Sequence, residues 1–208
     1  MDQDKNRHLS APKRQAIKSK SARTAFCNAT IESLITLGYA KTSLNVVAKK
    51  ACFSKGALQY HFPTKEDLVT ATANQLLQRT DYEQQDKKVD FHSIHDVVFY
   101  IWRKLVNTPP YLALLEILIA ARTDNALKER IKSTLSEWNK TFENQAIENY
   151  QAKKVDEDVS QLMKMTRNFL RGLVLQKHYE PVLDETPQLE RWANFLDSVI
   201  ELKLGEER

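Results

Sequence analysis

Between Ser43 and Phe62 the chain writes two short helices with little between them. Ser43 is a residue type whose hydroxyl satisfies a free backbone N–H at a helix start. Behind it Leu44, Val47, Ala48 and Ala51 recur at helical spacing. Ser54 starts a second helix, which Pro63 ends, because proline disfavours helical conformation in the residue before it. A longer stripe precedes both: Phe26, Cys27, Thr30, Ile31, Leu34 and Leu37. It stops at Gly38, a residue suited to the left-handed conformation after a helix.

The remainder is also helical. Thr64 and Asp67 form a capping-box arrangement before Leu68, Val69, Thr72, Leu76 and Leu77. Residues 79–90 are almost wholly polar and mark a boundary. Five further helices follow, with Thr108-Pro109-Pro110, Thr123-Asp124-Asn125, the acidic run Asp156–Asp158 and Thr186-Pro187 as punctuation. Only 4 glycines and 6 prolines occur in 208 residues, too few for turn-rich β or doubly wound α/β folds. The expectation is an all-α fold of about nine helices. It comprises a flexible basic arm over 1–18, a helix-turn-helix domain over 19–80, and a helical bundle over 81–208.

Charge singles out the first of these. Residues 1–70 hold 12 Lys and Arg against 5 Asp and Glu, while the rest holds 19 against 22. A basic end on a mildly acidic body suggests a polyanion partner. Two short helices joined by a tight turn suit that partner, since the major groove, about 12 Å wide, admits one helix held by another across the backbone. The reading helix needs small residues at its tip, and here the tip is Ser54-Lys55-Gly56-Ala57. Gly56 costs about 1 kcal/mol relative to alanine inside a helix. Close approach to DNA is a reason to keep it.

The string from Thr42 to Leu68 strongly resembles the TetR family of transcriptional regulators. The resemblance covers about residues 22–70. It rests on Gly38-Tyr39, Thr42-Ser43-Leu44, Val47-Ala48, Ser54-x-Gly56, Leu58, Tyr60-His61-Phe62 and Lys65-Glu66-x-Leu68. It implies that Lys55, Gly56, Ala57, Gln59 and Tyr60 face the groove, with Asn45 reaching a base from the supporting helix. It also implies that Thr42, Ser43, Tyr60, His61 and Lys65 contact phosphates, with Ser54 at the helix start. Lys13, Arg14, Lys18 and Lys20 would add arm contacts. Two positions depart from the family pattern. Cys52 stands where the turn normally has glycine, so an altered turn is expected. Gln59 stands where an aromatic is usual, and glutamine can pair bidentately with adenine.

The resemblance also implies a ligand-sensing, dimerising second domain. Trp102, Arg103, Glu116, Trp138, Phe142 and Asn168 are the candidate ligand contacts, aromatic and polar groups within a bundle being a usual ligand environment. Tyr111, Arg167 and Arg171 share that region. Phe169, Leu173, Trp192, Phe195, Leu196 and Val199 are the candidate dimer contacts, and Gly172 suggests a close helix approach. The expected function is a homodimeric repressor of palindromic operator DNA, released by a small-molecule effector. The alternative is a helical ligand-binding protein or enzyme with an incidental basic end, but no catalytic motif is present. His92 and His95 lack a clustered third ligand, so neither a metal nor a cofactor is expected. Cys27 reads as core, and Cys52 as a turn residue with a conceivable redox role. No secretory segment is expected, and the apolar run 111–121, broken by Glu116, is short of the ~20 residues of a membrane span. A cytoplasmic protein, held at the nucleoid through its operator, is the expectation.

Overall fold

Polar caps set where many of the helices begin. The structure is a computed structural model that describes residues 11–85 and 91–203, with side chains described for 13, 15–77 and 91–203. Helix α1 (Ala11–Lys41) is followed by α2 (Leu44–Lys50), capped by the Ser43 hydroxyl, and α3 (Lys55–His61), capped by Ser54. Then come α4 (Lys65–Gln85), α5 (Ile94–Tyr100, capped by Ser93), α6 (Pro109–Ala121), α7 (Asn125–Asn149), α8 (Val159–Tyr179, capped by Asp158) and α9 (Thr186–Val199). The fold class is all-α, as expected.

Several boundaries differ from the sequence reading. Helix α1 begins at Ala11, not near Ser19. Proline at the second residue does not oppose this, because the first-turn N–H groups have no partner in any case. Residues 1–10 and 86–90 lie outside the described residues, as does the side chain of Arg14. Gly38 interrupts α1 with φ 74°, and Thr42 N–H turns back to its carbonyl. Helix α5 continues as a π-helix, Ile101–Val106, in which Asn107 N–H donates to the Trp102 carbonyl five residues back. Helix α9 does not run on to Leu202. Ile200–Leu202 instead forms a strand, β2, that pairs antiparallel with β1 (Tyr150–Ala152), Gln151 facing Glu201.

Packing divides the chain into Met1–Leu76 with Ala113–Ile131, and Leu77–Leu112 with Lys132–Arg208. The linear expectation of one boundary near residue 81 therefore needs correction. The middle of the sequence, including most of α6, packs with the N-terminal helices. The first unit has a core of Phe26, Cys27, Val47, Ala48, Leu58, Phe62 and Leu68. Leu58 is α3's buried residue, and its full burial is worth roughly 1.5–3 kcal/mol. In the second unit Leu173, Leu196 and Val199 are buried within the chain itself. These three were expected at a dimer face. They belong to the chain's own core, because they lie on the inward stripes of α8 and α9.

Candidate nucleic-acid interface and ligand cavity

Helix α3 is fixed at both ends. Ser54 Oγ accepts from Ala57 N–H at 3.1 Å, and Arg23 of α1 donates to the His61 carbonyl at 3.2 Å while its guanidinium lies 4.4 Å from the Phe62 ring centre. With Leu58 buried, the opposite face is left to solvent. Lys55, Gly56, Gln59 and Tyr60 are all exposed, Tyr60 at 82%. Asn45 of α2 is exposed as well. A Cβ on Gly56 would meet nothing nearer than Ser54 Oγ at 4.0 Å, so nothing within the chain requires glycine there. Lys13, Lys18 and Lys20 are exposed on α1, and Lys50 is paired with Glu32 at 3.2 Å.

The α2–α3 turn closes with a regular helix end despite the cysteine. Cys52 N–H donates to the Lys49 carbonyl and Phe53 N–H to the Ala48 carbonyl, the paired bonds of a Schellman end. That geometry places Cys52 at φ 61°. The backbone thus accepts the strain of a positive φ at cysteine. Phe53, delivered by the turn, stacks 4.8 Å from Phe26.

Three of the expected phosphate contacts are engaged within the chain. Thr42 is buried, and its hydroxyl donates to the Gly38 carbonyl at 2.8 Å, so its side chain faces inward. Lys65 donates to the Tyr39 carbonyl at 2.6 Å and sits 3.8 Å from that ring's centre. Partial burial holds its pKa below the ordinary lysine value. Its ammonium ties the start of α4 to the end of α1. Ser43 Oγ caps α2 by accepting from Val46 N–H at 3.3 Å. His61 is half-buried, 5.8 Å from Phe26 and edge-on to Tyr60.

Glu116 was expected in the ligand cavity but serves the first unit instead. Its Oε2 accepts from Tyr39 N–H at 3.2 Å, one residue past the Gly38 break. Tyr39 Oη donates to Asp124 Oδ2 at 2.9 Å, and Asp124 also accepts from Leu127 N–H as the cap of α7. These bonds, that of Leu127 first, hold the Asp124 carboxyl below its ordinary pKa.

The second unit contains a cavity enclosing about 540 Å³, its open mouth included. Trp138 and Phe142 line it, as do Ile101, Leu105, Met163 and Arg167. Three other expected contacts lie elsewhere. Trp102 is buried with its indole N–H donating to Glu185 at 3.1 Å; Arg103 is exposed, over the Phe99 ring; Asn168 is exposed. Arg167, and not its neighbour Asn168, faces the cavity, since adjacent side chains on a helix point about 100° apart. Among the described residues no group of three or more His, Cys, Asp or Glu could hold a metal. His92 N–H is bonded to Asp96, and the His95 ring stacks on Phe99. None of the helices among the described residues is long and apolar enough to cross a membrane.

Residues 27–72 match the profile described as bacterial regulatory proteins, tetR family. The N-terminal segment belongs to that family. A relative of the tetR-family segment is an uncharacterized HTH-type transcriptional regulator of Mycobacterium bovis, 33% identical over 114 residues. That alignment covers 53% of this chain and 58% of the relative, so it spans little more than half of the relative's length. Solved structures extend the likeness of fold beyond the tetR-family segment. A transcriptional regulator from Saccharomonospora viridis in complex with choline superposes with TM-score 0.67 at 13% identity, covering 88% of this chain and 99% of that one. FadR from Bacillus subtilis, in complex with stearoyl-CoA, gives 0.65 at 16% identity, covering 84% and 97%.

Proposed function

We propose that the protein is a homodimeric, sequence-specific DNA-binding transcriptional regulator, a cytoplasmic repressor released from a palindromic operator by a small molecule in the second unit's cavity. The exposed face of α3 carries this reading. Lys55, Gly56, Gln59 and Tyr60 project from a helix anchored only on its other side, and Gly56 has no internal reason to lack a side chain. Such a tip lets the backbone approach base edges, with Gln59 supplying paired donor and acceptor groups. Surrounding lysines supply a salt-sensitive hold on phosphates.

Dimerisation is supported by an apolar stripe that the chain leaves open. Met165, Phe169, Gly172 and Leu175 follow one face of α8, with Phe195 of α9. Phe169, Trp192 and Phe195 form a run of ring contacts at 5.2 and 5.3 Å. A Cβ on Gly172 would meet nothing within 4 Å, so any close helix approach there comes from a second chain. Two copies would present two reading heads, and half-sites one DNA turn apart need about 34–36 Å or a multiple between them.

The test is binding of the full chain to duplexes from its own promoter region across a salt series. Specific retention of a palindromic fragment, weakening steeply as salt rises, is expected. Equal retention of all fragments, or none, overturns the reading.

A further inference from the structure

Ligands as unlike as choline and stearoyl-CoA occupy structures of this general fold. The fold therefore does not fix the ligand, and its class must be read from this chain's own cavity. That cavity is largely hydrocarbon, with Ile101, Leu105, Val106 and Met163 in its wall. One charged group stands out among them. The Arg167 guanidinium lies 4.7 Å from the ring centres of both Trp138 and Phe142.

A cation over an aromatic ring forms no ordinary hydrogen bond there, so its N–H groups still require acceptors. Here two of the donor nitrogens find none. Arg167 Nε and Nη1 are buried without a hydrogen-bond partner. The surrounding charges compensate only in part. Glu143 is engaged by Lys164 at 2.9 Å, and the neighbouring Arg171, bonded to the Tyr111 hydroxyl, adds positive charge. A buried cation with unmet donors is costly, and guanidinium stays protonated rather than neutralise. An incoming anion within reach of the Arg167 N–H groups would relieve both deficits at once.

We infer that the cavity takes an amphiphile with a carboxylate head, which Arg167 binds through its in-plane N–H groups while an alkyl or aryl body lies against Ile101, Leu105 and Met163. The inference rests on the proposal that this cavity is an effector site. It adds the chemical class and the residue that selects it. Trp138 and Phe142 act as positioning residues, holding the guanidinium at the cavity wall.

Three ten-carbon probes with different heads test it: decanoate, decan-1-ol and decyltrimethylammonium, titrated calorimetrically into the full chain. Decanoate should bind saturably and at least about tenfold more tightly than either of the others, the size expected of hydrogen bonds to a charged group. Arg167→Gln should erase that preference while leaving cooperative melting intact. Equal affinities, tightest binding by the cation, or an undiminished preference in Arg167→Gln overturns the inference. If Arg167→Gln does not melt cooperatively, Arg167→Lys decides. A clear loss of decanoate affinity supports a planar donor, and unchanged affinity overturns it. DNA retention is read separately. Decanoate that binds without releasing DNA refutes the effector reading and leaves the ligand class standing. Release of DNA by a neutral or cationic compound, with decanoate inert, refutes the ligand class alone.

Discussion

Replacing Cys52 with glycine should stabilise the protein, and the turn geometry sets the size of the effect. Cys52 sits at φ 61°, held there by the paired bonds from Cys52 N–H and Phe53 N–H. A non-glycine residue in that region costs about 1–2 kcal/mol. Glycine removes the cost but adds about 0.4–1 kcal/mol of unfolded-state entropy to be lost on folding. The cysteine side chain is exposed, so little packing disappears with it. The net gain for Cys52→Gly is about 0.5–1 kcal/mol, or a rise of about 1–4 °C in melting temperature for a chain this long. Cys52→Ala is the control: it keeps the strain and should stay within about 0.5 kcal/mol of the parent. Urea denaturation followed by circular dichroism measures both. A glycine variant no more stable than the alanine variant would refute the argument, because relief of backbone strain must exceed the added unfolded-state entropy for glycine to come out ahead.

Other perturbations probe the remaining assignments. Gln59→Ala should cost about 1–3 kcal/mol at one base pair of each half-site and little elsewhere, measured across a panel of single-substitution duplexes; a uniform loss would show that Gln59 reads no base. Glu116→Ala removes the acceptor for Tyr39 N–H and should cost about 1–2 kcal/mol in urea denaturation, while decanoate affinity stays unchanged. The Asp124 carboxyl titrates below its unfolded value of about 3.9, so its contribution is complete above that pH and is lost as pH falls through the folded value. Urea midpoints should drop on acidification below about pH 4, and less so in Asp124→Asn. Phe195→Glu places charge beside the half-buried rings of Phe169 and Trp192 and should shift the protein from dimer to monomer in light scattering, with cooperative melting retained.

What the sequence disclosed was what depends on neighbours along the chain. Ser43 and Ser54 cap the helices they were expected to cap, and Leu58 and Val47 are buried where the apolar spacing puts them. What it concealed depends on partners far away. Glu116 looks like a polar group in a ligand pocket until Tyr39, 77 residues earlier, is found bonded to it. Lys65 and Thr42 carry the residue types of phosphate contacts, but backbone carbonyls at Tyr39 and Gly38 accept from them. Arg23 gave no local sign that it secures the end of α3. Leu173, Leu196 and Val199 show why apolar spacing alone cannot separate a core from an interface: both require the same side chains, and only the packing tells which surface is already covered.

The π-helix after α5 has a consequence for how the cavity can diversify. A π turn holds a surplus residue relative to an α turn, and Ile101, Leu105 and Val106 all lie within it. Loss of a single residue there would let the segment relax to ordinary winding and re-aim wall side chains within it. Trp102 and Val106 are buried in the same turn, so a one-codon deletion there would reshape the cavity wall and the packing behind it together.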